Sequence, residues 1–294
     1  MSKTKKAVII GSVLVGIGVI IGFIGIAIGG FRFPNGAVDL TTMKALHAEK
    51  KTVQIADAFD KIEIAGASSM DIEICKSKTG KNYVEYYDTD DWTSRVDVKD
   101  RVLKFTTDDK GKHKAVVSLG FGKDTAARLY LADAEYKEIS VTTLSGYVTI
   151  QDVNAETVNV SASSGDLYMK NINAPDSIMA TSSSGDIDLE NATAKQIELG
   201  ANSGDIEMQD ITAESLRMST SSGDIDLESG DAEKFDITTS SGDVDMEITA
   251  GRAYRFETKT NSGAVDVPDG DADSDYLCKI VTCLLYTSPS PRDR

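Results

Sequence analysis

The chain is poor in the residues that most often carry chemistry. Its 294 residues include two histidines, three cysteines and one tryptophan, and aromatic residues make up only 6%. His47 lies in a polar stretch near the N-terminus and His113 in the polar turn DDKGKHK. Neither is placed to act as base for the many serines downstream, so a Ser-His-acid arrangement is excluded there. Cys75, Cys278 and Cys283 show no C-x-x-C spacing and no neighbouring histidine, which leaves no zinc pattern. A Cys75–Cys278 bridge is compatible with the sequence, but free thiols are the simpler expectation. GFGK at Gly120 has neither the length nor the G-K-[ST] ending of a phosphate loop. Carboxylates are so numerous that no pair stands apart as a glycosidase dyad. The sequence therefore nominates no catalytic, cofactor-binding or metal-ligating residue and no cofactor.

Positive charge is also scarce: 31 Lys and Arg face 47 Asp and Glu, for a net charge of −16 and a pI near 4.6. Such a surface repels nucleic-acid phosphates and anionic lipid headgroups, so nucleic acid is not an expected partner. Solubility is the general reading of the charge, and binding of cations or a basic partner is the more specific one. With so few rings, small and branched aliphatics must fill the core.

What the chain does contain begins with AVIIGSVLVGIGVIIGFIGIAIGG at residues 7–30, without a charge. That exceeds the ~20 apolar residues a helix needs to cross a bilayer. Lys3, Lys5 and Lys6 precede it, which predicts a cytoplasmic N-terminus and an extracytoplasmic remainder, although Arg32 lies close on the far side. A cleaved signal peptide would carry a shorter apolar region, so an uncleaved single-pass anchor is expected. The expected organisation is a cytoplasmic N-terminus at 1–6, a transmembrane helix at 7–30 and a juxtamembrane linker at 31–52, with a short helical piece. An irregular β region follows at 53–140, then a regular repeat at 141–282 and a tail at 283–294.

From Val53 onward apolar and polar residues alternate, as in FDKIEIAG and SSMDIEI, which is the period of half-buried strands. No stretch reads as an amphipathic helix. From about Val141 the alternation becomes a repeat. Ser-Gly pairs place Gly at 146, 165, 185, 204, 223, 242 and 263, spaced by 19 to 21 residues. One apolar pair follows each glycine, such as Ile187/Leu189 and Ile225/Leu227. A second comes later, such as Ile197/Leu199, Phe235/Ile237 and Tyr254/Phe256. Two short strands and two corners use up such a unit, predicting an all-β, single-domain β-solenoid with rungs ~4.8 Å apart. Neither the leucine-rich frame nor the G-G-x-G-x-D nonapeptide is present.

The Ser-Gly-Asp corner reads first as a turn. Glycine would supply a positive φ, and the flanking Ser and Asp would bond local backbone N–H groups. The acidic pairs Asp186/Asp188, Asp205/Glu207, Asp224/Asp226 and Asp243/Asp245 should share an outward face. Solvated carboxylates are the simple reading of these columns, and weak calcium binding is the specific one.

The lead-in ARLYLADAEYKEISVTTLSG, followed by serial SGDI-x-L units, resembles a bacterial family of candidate adhesins of unknown function, whose members carry toast-rack-like β-solenoids. The resemblance spans roughly residues 53–280. It implies membrane tethering and a role in the cell envelope, including envelope stress response, and brings no catalytic residues. Ala132 stands where a proline is expected, and Tyr147 stands where Asp usually follows the glycine. The closing CLLYTSPSPRDR resembles translated sequencing adapter and departs from the repeat. The expected function is a non-enzymatic, membrane-anchored adhesin-like or envelope interaction module with a macromolecular or protein partner. A sensor of an envelope-stress system and a polysaccharide-processing β-helix enzyme are the alternatives.

Overall fold

Seven inward positions in each regular unit account for its shape. Between Val148 and Ala162 the inward residues are Val148 and Ile150, then Val153 and Ala155, then Val158, Val160 and Ala162. Strict alternation would keep one phase, but the inward set shifts by one residue after Ile150 and again after Ala155. Each shift is a corner. A unit is thus one continuous run of β structure wrapped around three sides, rather than the two strands the sequence suggests. The short middle side is built on small residues, with Ala155, Ala174, Ala194, Ala213 and Ala232 stacked and buried.

In the computed structural model the described residues are 37–39, 44–45, 48–67, 70–89, 92–109, 116–118, 126–132, 135–249, 251–260 and 263–282. All regular structure among them is strand, and those within 48–109 and 126–282 form a mainly parallel solenoid of about eight turns. The expected membrane helix at 7–30 and the tail at 283–294 lie outside them. Among the described residues no helix is long and apolar enough to cross a membrane.

The strands Val148–Ser164, Leu167–Ser182, Ile187–Ala201, Ile206–Thr220 and Ile225–Thr239 pair in parallel, each on the next. Below them the earlier sequence supplies further rungs of the same phase. Lys61–Ala67 lies under Glu135–Ser145, and Ile72–Lys76 lies under the start of Val148–Ser164. Val102–Asp109 and Ala127–Leu131 form the next level down. The stack then ends in antiparallel pairs. Trp92–Lys99 closes one side, while Tyr83–Thr89 and Ala48–Gln54 close the other. These levels and the strand Tyr83–Thr89 enclose a void of only about 10 Å³ among Ile62, Val84, Leu103 and Leu129.

Contacts divide the chain into two units, residues 48–112 with 125–294 and residues 1–47 with 113–124. In the smaller unit, Ala37–Asp39 pairs antiparallel with Lys44–Ala45 and with Val116–Ser118. The stretch expected as a linker with a helical piece therefore contains paired strands, and its last residues open the strand Ala48–Gln54.

At the C-terminal end the order changes. Leu277–Thr282 enters between Lys234–Thr239 and Arg255–Thr260, pairing in parallel with both. The expected stacking of Tyr254/Phe256 directly on Phe235/Ile237 is thereby displaced. Tyr254 packs edge-on against Phe235 at 5.5 Å and donates from its hydroxyl to the Ala232 carbonyl at 2.7 Å. Arg252 bonds Asp231 at 2.9 Å and sits 4.7 Å from the Tyr276 ring centroid. Cys278 is buried here, five or more rungs from Cys75, and both thiols are free. At ~4.8 Å per rung their separation far exceeds the reach of a disulfide, so the bridge is ruled out.

Candidate functional site

The repeated corner holds the solenoid together by close approach rather than by a special backbone angle. Positive φ occurs at Gly146 (118°) and Gly263 (99°), but not at Gly165, Gly185, Gly204, Gly223 or Gly242. At those five a Cβ would meet the carbonyl oxygen of the glycine one rung below at 2.0–2.3 Å. Glycine is needed because the backbone of the next rung already fills the space of a side chain. That carbonyl is satisfied by a buried hydroxyl: Ser182 Oγ donates to Gly165 O at 3.2 Å, Thr220 Oγ1 to Gly204 O at 3.0 Å, and Thr239 Oγ1 to Gly223 O at 3.1 Å.

The aspartate after each glycine bonds the next rung instead of its own turn. Asp186, Asp205, Asp224 and Asp243 each donate a backbone N–H to Oδ1 of the preceding aspartate, at 2.7–3.0 Å. The ladder starts at Asp71, which accepts from Tyr147 N at 2.9 Å, and ends where Ala264 N donates to Asp243 at 2.6 Å. Tyr147 carries no carboxylate, so the ladder breaks above it, and the residue is 60% exposed. The Ala132 departure has a similar reason: its N–H donates to Asn82 Oδ1 at 2.7 Å, a bond proline could not make.

Sequence reasoning placed a second corner in each unit but missed the residues that turn it. Six residues after Gly146, Gly165, Gly185 and Gly204 stand Asp152, Asn171, Asn191 and Asp210, at φ of 50–56°. Asn and Asp tolerate this left-handed region best among residues with a side chain. They also bond along the stack, Asn171 Nδ2 to Asp152 Oδ1 at 2.6 Å and Asn191 Nδ2 to Asn171 Oδ1 at 2.7 Å. The signal was present as an Asn or Asp six residues after four successive repeat glycines.

With these residues committed to corners, the groups free to meet a partner are those pointing out from the sides. On the side following the glycine, Asp188, Glu207, Asp226, Asp245 and Asp266 lie in register, one per rung. Among the described residues none of the five has an ion-pair partner. Burial, reinforced by Glu207, Asp186, Asp166 and Glu190, pushes the Asp188 carboxyl up to about 6. Burial and then Asp245 raise Asp226 as well. Glu190 moves the other way because Lys170 bonds it. The expected acidic pairs are thus on one face but serve two ends, the first member tying rungs together and the second meeting solvent. The carboxylates stand in parallel rows, and among the described residues no three such groups are placed to hold a metal ion. His47 and His113 lie outside the described residues.

No curated protein matches the chain. A solved structure of a candidate lipid-binding protein from Parabacteroides distasonis is 18% identical, with 80% of this chain and 94% of that one covered, at a TM-score of 0.52. A candidate adhesin from Bacteroides fragilis is 18% identical over 81% of this chain and 97% of that one, at a TM-score of 0.49. The first of these likenesses is one of fold. The family model described as Toastrack DUF4097 matches residues 59–276, nearly the whole solenoid, and the chain belongs to that family.

Proposed function

We propose that the protein is a non-enzymatic interaction module of the bacterial cell envelope, anchored by residues 7–30 with its solenoid outside the membrane. The observation that carries this reading is the row of five in-register carboxylates on the post-glycine face, four exposed and Asp188 half-buried, none with an ion-pair partner among the described residues. A rigid sheet holding like charges at regular spacing fits a broad macromolecular surface with basic groups better than a small substrate. The apolar run and its lysine-rich N-terminal flank support the anchor. The candidate adhesin and candidate lipid-binding protein named above are compatible with a binding role.

The test is fractionation with capture. The full chain is expected in the membrane fraction, with the solenoid open to external protease, and to retain envelope partners from detergent extracts. Replacing Glu207, Asp226 and Asp245 together by Lys is expected to abolish retention while leaving the melting curve close to that of the parent. Recovery in the soluble fraction, or capture indifferent to the triple reversal, would overturn the reading.

A further inference from the structure

At its lower turns the post-glycine face changes character. Three residues stand in register on neighbouring strands: Tyr130 on Ala127–Leu131, Cys75 on Ile72–Lys76 and Gln151 on Val148–Ser164. They alternate with the buried Leu129, Ile74 and Ile150, so they point outward, and all three are half-buried. One face of the Tyr130 ring is taken by Tyr83 on the strand below, stacked at 4.4 Å between centroids with the planes 16° apart. Its other side looks up the stack over Cys75, whose short side chain leaves a slot between Tyr130 and Gln151. Those two residues are two strand spacings apart, ~9–10 Å, so a flat ring fits between them at stacking distance from Tyr130.

Polar groups border the slot on both sides. Two residues before Tyr130 and Cys75, Arg128 holds Glu73 with two hydrogen bonds of 2.7 and 3.1 Å. Toward the following corner stand Asp152 and Lys78, close enough to act on the Cys75 thiol. Two acids and two bases therefore surround an uncharged centre. Burial and then Glu73 raise the thiol above its ordinary value, and burial and then Glu85 raise the Tyr130 phenol. This balance contrasts with the carboxylate row on the higher rungs of the same face, onto which a long anionic chain would run. The strands here are paired with neighbours above and below, so a polypeptide lying across them would gain no ladder of main-chain bonds.

An aromatic face with a charge-balanced rim of mixed donors and acceptors suits a sugar ring, whose C–H face is apolar and whose hydroxyls each donate and accept. We propose that this slot is a subsite for a neutral polysaccharide, one pyranose ring stacking on Tyr130 over Cys75 while Gln151, Glu73 and Arg128 bond its hydroxyls. Tyr83 props the Tyr130 ring and the Arg128–Glu73 pair is already locked, so little side-chain freedom is lost on binding. The site is separate from the acidic row and adds an uncharged class of partner to the interaction-module reading.

The test uses full-length protein in a detergent without a sugar headgroup, with cellotetraose, maltotetraose and chitotetraose as probes. At least one is expected to bind saturably with a Kd of ~1 mM or below. It should slow alkylation of Cys75 by N-ethylmaleimide, followed by peptide mass spectrometry, and should receive magnetisation at its C–H protons from tyrosine ring protons. Cys75→Phe fills the slot from an outward position and should weaken binding ~10-fold or more with an unchanged melting curve. Tyr130→Ala should weaken it similarly, whereas Tyr130→Phe, which keeps the ring, should retain most of the affinity. The proposal is overturned if no probe binds at ~10 mM, if binding leaves Cys75 alkylation unchanged, or if Cys75→Phe binds like the parent. Tighter binding of polygalacturonate than of every neutral probe would overturn it as well. None of these substitutions touches the acidic row, so capture through that row stands or fails separately.

Discussion

On the post-glycine face, Asp188, Glu207, Asp226, Asp245 and Asp266 stand one above another. On the pre-glycine face the corresponding outward row reads Glu198, Arg217, Asp236, Lys279 and Glu257, with the sign alternating at every rung. Both rows sit on the same backbone, at the same spacing and with the same kind of buried alternation beneath. The second arrangement is what stability favours, since opposite charges across neighbouring strands attract and like charges repel. The first costs stability on every rung, so folding alone does not account for a row of five like charges. Two acids only two residues apart show the same division. Asp205 accepts a rung-to-rung hydrogen bond, whereas Glu207 is held against its neighbours' charge.

The severest way to break the comparison is to separate the rungs where both faces meet. Gly223→Ala would place a Cβ 2.1 Å from the Gly204 carbonyl oxygen, a backbone atom that cannot yield. A loss of about 3 kcal/mol, or roughly 6–12 °C in melting temperature, is expected. Gly251→Ala, with nothing within 4 Å of the new atom, is the matched control and should melt like the parent. Circular dichroism melts of the two variants decide whether close packing, rather than loss of glycine as such, is responsible.

Next in size is the contrast between the two neighbouring acids. Asp205→Ala removes the acceptor of Asp224 N–H and should cost about 1 kcal/mol. Glu207→Gln keeps the side-chain shape and relieves repulsion, so it should leave stability equal or slightly raised. Opposite signs from acids two positions apart would confirm the division of labour. Equal losses in chemical denaturation would refute it.

How much of this was legible follows from the kind of interaction involved. The stack, its phase and its alternating core were readable, because a period of nineteen residues with buried pairs leaves few other ways to hide apolar surface. The third side was not, because its inward residues are a lone aliphatic and an alanine, as in Val153/Ala155 and Ile172/Ala174, too small to register as a strand. The glycine was read correctly as a corner but for the wrong reason, since contact with the rung below is invisible from within one unit. The insertion of Leu277–Thr282 was equally hidden, because Tyr254/Phe256 satisfies the repeat locally and only long-range pairing displaces it. The acidic row was legible as a face. Its division into tied and free carboxylates required the rung-to-rung bonds.

Acidification sharpens the comparison with a smaller expected shift. Asp188 has its pKa raised from 3.8 to about 6, so between those values the folded protein holds a proton that the unfolded chain does not. Its contribution therefore increases as pH falls through about 6 and is absent well above it, opposite to an ion-paired carboxylate. Asp60 and Glu190, lowered by Lys137 and Lys170, lose their contributions only in more acidic solution. Melting temperature should rise by roughly 1–2 °C from pH 7.5 to 5.5, allowing for solvent screening of a half-buried group. Asp188→Asn should flatten that dependence and melt higher than the parent at pH 7.5, by at least what the parent gains at pH 5.5. A parent that melts lower at pH 5.5 than at 7.5 would contradict the assignment.

The smallest effect comes from making the two faces alike. Arg217 lies between Glu198 and Asp236 in its row and reaches Asp236 at 3.6 Å. Arg217→Glu converts the alternating row into three successive negative charges, reproducing the post-glycine pattern on the other side. For an exposed pair the loss should be about 0.5 kcal/mol at low ionic strength. Raising salt to ~1 M shortens the Debye length to ~3 Å, less than the rung spacing, and should remove most of the difference from the parent. Arg217→Gln separates lost attraction from new repulsion, because it should show about half the loss and a weaker salt dependence. If Arg217→Glu is as stable as the parent at low salt, charge order on the pre-glycine face carries no stability. The contrast between the faces would then reflect composition alone.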